Sequence, residues 1–243
     1  MYSKAENKGV AVLILPSGGY SVLSYATGFQ LAKWFNTIGI TAFVLKYRLP
    51  HSPDVIESYK APLQDAQRAM RLIRANAAEW GYDKIKVGVM GASAGGHIAA
   101  CLSTITDNWY DPSDSIDTNS FAPSFAILIS PVISMSEGTH IPSRNTLLGK
   151  NASPEMIDKL SCQLHINDHT PPSFVIHAEN DETVSPINSI LYFSGLLKHG
   201  IKGCSLHIFP QGGHSIRVRK NPGITGFWPV LAEKWLIETG IIN

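Results

Sequence analysis

Residues 85–104 read Ile-Lys-Val-Gly-Val-Met-Gly-Ala-Ser-Ala-Gly-Gly-His-Ile-Ala-Ala-Cys-Leu-Ser-Thr. The apolar run at its start predicts a buried strand, and the small and apolar residues from position 95 predict a helix. Between them stands Gly91-Ala92-Ser93-Ala94-Gly95, which has the G-x-S-x-G pattern of a nucleophile elbow. In such an elbow the serine lies on a sharp strand-to-helix turn, where larger residues in place of the glycines would collide with backbone. A flexible glycine loop with a bystander serine is the alternative, and the strand-to-helix context favours the elbow.

The same alternation of short apolar runs and amphipathic segments continues on both sides of this stretch. Together with residues 85–90, five further runs predict strands, at residues 10–15, 40–45, 125–129, 173–178 and 206–209. Helical periodicity is present at residues 28–38, 62–80, 95–104, 154–160, 186–199 and 227–239. Strands that alternate with helices form a parallel sheet with helices on both faces. The sequence therefore predicts an α/β fold with a mainly parallel sheet of about six strands.

Residues 1–243 are predicted to form a single domain, interrupted by one segment outside the strand–helix rhythm. That segment, residues 131–172, is rich in Ser, Asn, His and Pro, and only residues 154–160 within it read as a helix, with Ser153 as its N-cap. An insertion of this length in a compact domain is more often functional than a plain connection. We therefore expect a short lid or rim over the site.

Composition and charge argue against several classes of protein. Hydrophobic residues make up 44% of the chain and charged residues 16%, so the chain can bury a sizeable core. The net charge of +1 offers no basic field for a phosphate backbone, so we expect no nucleic-acid partner. The apolar runs are too short to cross a bilayer, so we expect no membrane partner. The three cysteines lack CxxC spacing, which favours neither a disulfide framework nor a zinc site of thiolates.

The first eight residues are polar where a secretory leader would carry an apolar stretch. A cytoplasmic location is therefore expected if Met1 is the native start, and secretion is expected if a leader has been removed. The sequence predicts no particular oligomeric state.

A nucleophilic serine needs a histidine base and an acid that orients the histidine. Asp181 follows the fifth predicted strand, and His214 follows two glycines beyond the sixth. Both lie after the carboxyl ends of strands, where open parallel sheets place their ligand crevice. Glu179 and Glu182 are alternatives for the acid, and an exposed loop without a catalytic role is the alternative for either residue. The pattern predicts that Ser93, His214 and Asp181 act together.

The loop after the first predicted strand, Pro16-Ser17-Gly18-Gly19-Tyr20, occupies the position of an oxyanion loop. Glycines in such a loop let backbone N–H groups approach a substrate carbonyl without side-chain obstruction. The N–H of Ala94, at the start of the helix after the elbow, is aimed at the same developing charge. The candidate donors are therefore Gly18, Gly19 and Ala94, and a tight turn into the next helix is the alternative for the loop.

Other residues have reactive side chains but not the spacing of a site. The remaining histidines lack the paired-carboxylate spacing of metal ligands, so we expect no metal and no cofactor; they include His140, His165, His169 and His177. His97 lies four residues after Ser93 and is expected to pack or hydrogen-bond beneath the site rather than act as the base.

Two further pairs of residues are expected to have structural rather than catalytic roles. Asp65 and Arg48 are expected to form a buried or half-buried pair that braces the crevice. Trp228 and Trp235 lie on the apolar stripe of the last predicted helix and are expected in the core rather than as a carbohydrate platform.

Several segments together resemble the α/β-hydrolase superfamily, and within it the serine carbohydrate esterases related to acetylxylan and feruloyl esterases. The matching segments are residues 15–20, 44–50, 89–97, 181–184 with the following Asn188-Ser189, and 212–214. The resemblance covers nearly the whole chain. It implies an α/β-hydrolase fold with Ser93, Asp181 and His214 as a catalytic triad, and it implies an oxyanion hole formed by the N–H groups of Gly18, Gly19 and Ala94.

The sequence departs from the resemblance at two points. Ser17 stands where relatives often carry another glycine, which leaves the choice of N–H donors open. The resemblance also equates the first predicted strand with the third strand of the family, so the usual amino-terminal strand pair is expected to be missing or to have been removed.

The resemblance implies a serine esterase that cleaves small acyl esters of the acetyl type through an acyl-enzyme. The expected substrate is a small-molecule or oligosaccharide ester, such as acetylated xylan. One alternative is a serine peptidase or amidase of the same fold, because residues 181–184 also resemble the prolyl-oligopeptidase segment. The other is a catalytically silent binding protein on a hydrolase scaffold, although such proteins typically lose a member of the triad.

Overall fold

Six parallel strands form the sheet at the centre of the computed structural model, which describes residues 6–53 and 55–243. The strands are β1 (Ala11–Leu15), β2 (Thr41–Val44), β3 (Val87–Ala92), β4 (Ala126–Ile129), β5 (Ser173–Ala178) and β6 (Ser205–Phe209). They lie in the order β2-β1-β3-β4-β5-β6, and each neighbouring pair is parallel. The predicted α/β fold with about six mainly parallel strands is confirmed.

Helices connect the strands and cover both faces of the sheet. The α-helices are α1 (Tyr25–Thr37), α2 (Ala61–Ala75), α3 (Ala77–Trp80), α4 (Ala94–Thr104), α5 (Ile141–Leu148), α6 (Pro154–Lys159), α7 (Ile187–Lys198) and α8 (Trp228–Glu238). Short 3₁₀ helices are present at Ser115–Thr118, Cys162–Leu164 and Gly223–Phe227.

Successive residues of the central strands pack into two separate hydrophobic cores, because side chains alternate between the two faces of a sheet. In β1, Leu13 packs with α2 and α4 on one face, while Ile14 packs with α1 and α8 on the other. Trp228 and Trp235 of α8 are buried in the second core, as the sequence predicted. Because the central strands are buried on both faces, they are apolar at almost every position.

The strand order reverses direction next to β1. The chain runs outward from β1 to β2 and then returns to form β3 on the other side of β1, where Leu15 pairs with Gly91. The loops that follow β1 and β3 therefore leave the same edge of the sheet side by side. Such a switch point is where open α/β sheets place their ligand crevice.

The structure departs from the predicted helices most clearly at two places. The predicted helix at residues 62–80 is divided at Asn76, whose φ of −97° and ψ of 8° leave the helical range, so that α2 and α3 are separate. The insertion contains a second helix, α5, that the sequence did not predict. Only Ser143 and Leu147 of α5 are buried, so it lacks the apolar stripe on which the prediction of helices depended.

Within residues 6–53 and 55–243, every helix is too short or too polar to cross a lipid bilayer. Residues 1–5, which belong to the polar start of the sequence, lie outside the described residues. All three cysteines, Cys101, Cys162 and Cys204, are free thiols.

We expect Gly95→Ala to destabilise the fold by about 1–3 kcal/mol, the usual cost of overpacking. A Cβ atom at Gly95 would lie 2.2 Å from the carbonyl oxygen of Leu15 and 2.6 Å from that of Pro16, and backbone atoms cannot swing aside. Urea unfolding measures the difference. Gly226→Ala is the matched control, because its Cβ would meet nothing closer than 3.9 Å, and it should stay within about 0.5 kcal/mol of the parent. Equal losses in both variants would contradict this account of the crowding.

Candidate active site

Ser93 lies on a strained turn between β3 and α4. Its φ of 56° and ψ of −122° are rare for a residue with a side chain. The flanking glycines are required by close approach, because a Cβ at Gly91 would lie 2.1 Å from the carbonyl oxygen of Gly95, and Gly95 itself abuts the end of β1. The strand–turn–helix context that the sequence predicted for Ser93 is therefore present.

The structure brings the three predicted site residues together from three different loops. Ser93 Oγ lies 2.8 Å from Nε2 of His214, and Nδ1 of His214 lies 2.8 Å from Oδ2 of Asp181. Asp181 follows β5 and His214 follows the neighbouring strand β6, so sheet pairing places the acid beside the base. With Nδ1–H donating to the carboxylate, Nε2 of His214 is the acceptor for the Ser93 hydroxyl.

Asp181 is the carboxylate that contacts His214, since Glu179 and Glu182 are exposed. Its side chain is fully buried, and its Oδ1 accepts N–H bonds of 2.9 Å from both Thr183 and Val184. Burial alone would raise its pKa, but hydrogen bonds from His177, His214 and the Val184 N–H outweigh burial and hold the pKa of Asp181 well below its usual range. Asp181 is therefore ionised throughout the neutral range.

The loop after β1 lies against the start of α4, as the contact of Gly95 with Pro16 requires. Three consecutive residues, Gly18, Gly19 and Tyr20, have positive φ angles of 138°, 62° and 64°. None of the hydrogen bonds among the described residues uses the N–H of Gly18, Gly19 or Ala94, so these donors remain available for a ligand. Ser17 lines the cavity beside Ser93, which puts the residue that departs from the family pattern at the site.

The loop is held from beneath by two buried tyrosines. The hydroxyl of Tyr47 donates to the carbonyl of Pro16 at 2.7 Å, and the hydroxyl of Tyr20 lies 2.6 Å from Nδ1 of His97. The other ring nitrogen of His97 lies 2.8 Å from the carbonyl oxygen of Leu160 in the insertion. His97 is fully buried and makes hydrogen bonds beneath the site, as predicted, and it links the loop after β1 to the insertion.

The cavity at Ser93 is small, with a volume of about 170 Å³. Its walls combine apolar side chains, including Ala92, Ile129 and Ile216, with the hydroxyl groups of Ser17, Ser24 and Thr27. A larger hollow of about 460 Å³ lies between the insertion and α7, and none of the three site residues lines it. The smaller cavity is the candidate site, because Ser93 and His214 line it.

One group of metal-ligand types is present among the described residues, formed by His97, Cys101 and Cys162. The two sulfur atoms lie 3.4 Å apart, and all three side chains are buried. Both ring nitrogens of His97 already have hydrogen-bond partners, the Tyr20 hydroxyl and the Leu160 carbonyl. Sγ of Cys101 also lies 3.6 Å from Nε2 of His97, so the imidazole and the thiols contact one another within the core.

The insertion reaches the site through the start of α5. Nδ1 of His140 lies 2.8 Å from Oγ of Ser143, which is buried close to Gly19. Burial lowers the pKa of His140, the positive charge of His214 lowers it further, and the charge of Asp181 opposes both. His140 therefore lies within electrostatic range of His214.

The predicted pair of Arg48 and Asp65 is present, but it is more exposed than predicted. Arg48 donates to Oδ1 of Asp65 through Nη2 at 2.7 Å and through Nε at 2.9 Å. The side chain of Arg48 is 47% exposed, and that of Asp65 on α2 is 22% exposed.

No pattern in the sequence assigns a role to His177, and the structure places it against Asp181. Nε2 of His177 lies 3.1 Å from Oδ2 of Asp181, and the side chain is fully buried. The spacing of four residues between His177 on a strand and Asp181 in the loop after it is the only signal in the sequence, and it carries no periodic or motif meaning by itself.

The chain is similar to known proteins in sequence and in fold. The sequence profile of the BD-FAE family matches residues 4–196. An acetylxylan esterase of Xylanibacter ruminicola is 38% identical over 212 residues, which are 85% of this chain and 41% of the relative. An endo-1,4-beta-xylanase B of Butyrivibrio fibrisolvens is 34% identical over 216 residues, which are 89% of this chain and 34% of the relative. The chain therefore spans less than half the length of either curated relative.

Solved structures share the fold along almost the whole chain. An acetyl ester-xyloside bifunctional hydrolase from Caldicellulosiruptor lactoaceticus superimposes with a TM-score of 0.90 at 35% identity, covering 98% of this chain and 86% of its own. Thermogutta terrifontis esterase 2, phosphoramylated by tabun, superimposes with a TM-score of 0.82 at 27% identity, covering 100% and 87%. The chain therefore belongs to the BD-FAE family and has the α/β-hydrolase fold.

Proposed function

We propose that this chain is a serine esterase that removes small acyl groups, of the acetyl type, from a carbohydrate such as acetylated xylan. The observation that carries the proposal is the continuous hydrogen-bonded series from Ser93 Oγ through His214 to Asp181. A nucleophile, a base and an orienting acid in that arrangement are what acyl transfer requires. A silent binding protein has no need of an aligned series of this kind.

In the acylation step, Ser93 Oγ attacks the ester carbonyl carbon while Nε2 of His214 takes the hydroxyl proton. Asp181 keeps the imidazole in the Nδ1–H tautomer and stabilises the imidazolium that forms. The tetrahedral intermediate collapses when the C–O bond to the alcohol breaks and His214 delivers its proton to the leaving oxygen. A water molecule then attacks the acyl-enzyme, gives its proton to His214, and releases the acid as Ser93 recovers the proton.

The negative charge on the tetrahedral intermediate needs fixed donors. We assign this role to the N–H groups of Gly18, Gly19 and Ala94, whose hydrogen-bonding capacity is not used within the described chain. The N–H of Ala94 lies at the amino end of α4, where the helix dipole also favours negative charge.

Two observations support a small acyl group on a carbohydrate. The cavity of about 170 Å³ lies below the roughly 300–1,000 Å³ of ordinary ligand pockets, so it holds little more than a short acyl chain. The relative from Xylanibacter ruminicola is named an acetylxylan esterase, and the similar structure from Caldicellulosiruptor lactoaceticus is an acetyl ester-xyloside hydrolase.

Ser93→Ala should lower kcat for p-nitrophenyl acetate by about 10⁴-fold or more, because the variant has no nucleophile. A fluorophosphonate probe should label the parent and leave Ser93→Ala unlabelled. Ser215→Ala is the control, because Ser215 also lines the cavity but takes no part in the hydrogen-bonded series. Near-normal hydrolysis by Ser93→Ala would refute the assignment.

Among p-nitrophenyl esters, kcat/KM should be highest for acetate, lower for butyrate and lowest for decanoate. The reason is the small volume beside Ser93, which leaves a long chain in water. Steady-state rates at matched concentrations measure the order. The highest kcat/KM on decanoate would contradict the proposed acyl specificity while leaving the esterase assignment intact.

The value of kcat/KM should rise through a single ionisation between about pH 5.5 and 7.5 and then reach a plateau, because the base must be unprotonated. The lowered pKa of Asp181 keeps that carboxylate charged across the window, and the lowered pKa of His140 keeps its imidazole neutral at neutral pH. Asp181 therefore adds no second step in this window. A profile that falls across this window would contradict the mechanism.

A further inference from the structure

The candidate acid has a second imidazole neighbour, His177, which the mechanism above does not use. His177 lies on β5, four residues before Asp181, and its side chain is fully buried. Nε2 of His177 lies 3.1 Å from Oδ2 of Asp181 and 2.9 Å from the carbonyl oxygen of Val184. On the other side of the ring, Nδ1 lies 2.8 Å from Oγ of Ser189 in α7.

These partners determine which ring nitrogen carries the proton. The carbonyl of Val184 and the ionised carboxylate of Asp181 are acceptors only, so Nε2 of His177 must donate to them. Nδ1 then accepts from the hydroxyl of Ser189, which can act as a donor. With this tautomer every polar atom of the ring has a partner, so the imidazole is fixed in both position and orientation.

Asp181 consequently receives four hydrogen bonds. Two imidazole N–H groups, those of His177 and His214, donate to Oδ2, while the backbone N–H groups of Thr183 and Val184 donate to Oδ1. The bonds to Oδ1 fix the plane of the carboxylate. The bond from His177 divides the negative charge of Oδ2 between two donors.

We propose that His177 is a positioning residue that holds Oδ2 of Asp181 toward His214 and moderates the charge that His214 meets. The inference rests on the proposed function, because it assigns His177 to the same reaction. Removal of the His177 ring nitrogens should have two measurable effects. Asp181 should lose its alignment, and the electrostatic field at His214 should change.

The direction of the field effect follows from the shared acceptor. Without the N–H of His177, the full charge of Oδ2 acts on His214. Thr183 and Val184 still bond to Oδ1, but Oδ2 loses the bond that directs it toward His214. The protonated form of His214 is then stabilised, so the base becomes available only at higher pH. Two other ionisable groups lie near this pair among the described residues: His140 from the insertion, and Arg217, which lines the same cavity as His214. Every variant below retains both.

The test compares three variants of the full chain by pH–rate profiles on p-nitrophenyl acetate. His177→Phe keeps the ring but removes both nitrogen atoms. We expect kcat to fall by about 10–100-fold from lost alignment, with little change in KM. We also expect the acidic limb of kcat/KM to move to higher pH by about half a unit to one unit. His177→Gln places an amide N–H near the position of Nε2 and should restore most of kcat and the position of the limb.

His207→Phe is the matched control. His207 is a half-buried histidine on the neighbouring strand β6, bonded to Ser205 and in ring contact with Phe174, and it does not contact Asp181. Its profile should equal that of the parent. A merely structural role of His177 would lower kcat without moving the acidic limb of kcat/KM to higher pH. An acidic limb that is unchanged in His177→Phe, or that moves to lower pH, would therefore overturn the inference even if kcat fell.

Two further measurements keep the outcome decisive. If His177→Phe does not fold, ¹⁵N spectra of histidine-labelled parent enzyme, assigned with His177→Gln, must identify His177 as the Nε2–H tautomer, and the Nδ1–H tautomer would overturn the inference. If the parent enzyme does not hydrolyse esters and Ser93 is not labelled by a fluorophosphonate, the proposed function fails, while the tautomer measurement still tests the contact with Asp181.

Discussion

The backbone at Ser93 is the constraint on which the rest of the site depends. Its φ of 56° and ψ of −122° cost free energy, and such a conformation persists only where the surroundings determine it from several sides. The N–H of Ser93 donates to the carbonyl of Ile129, and its carbonyl accepts from the N–H groups of His97 and Val132. The turn is therefore anchored both to its own helix and to the end of β4, and these contacts maintain the position of Ser93 at the cavity.

The parallel sheet converts distant segments of the chain into neighbours. Asp181 and His214 are 33 residues apart, and His214 is 121 residues from Ser93, yet all three side chains meet at the carboxyl edge of the sheet. The reversal of strand order beside β1 adds the loop that starts at Pro16 to the same edge. Packing of the strands on both faces makes this edge rigid, which suits catalytic groups whose alignment must be held within a fraction of an ångström.

Burial gives the site its electrostatic character. Asp181 is kept ionised in an apolar setting because four donors replace the water it has lost, and two of these donors are imidazoles. Removing a partner from such a carboxylate costs far more than removing one from the exposed pair of Arg48 and Asp65, since solvent screens that pair. The contacts of Asp181 therefore dominate the chemistry of the site.

The sequence by itself determined the elements that local pattern controls. The elbow around Ser93 is defined by a strand, two glycines and a helix within one short stretch, and the six strands follow from apolar runs bounded by turns. Tertiary structure decided the rest. Asp181 is distinguished from Glu179 and Glu182 only by which carboxyl group is buried against His214, and His177 acquires a partner only because β5 ends beside the turn that carries Asp181. Helix α5 forms without an apolar stripe, because contacts with the rest of the chain stabilise it. These features depend on groups brought together by folding, and sequence periodicity contains no record of such contacts.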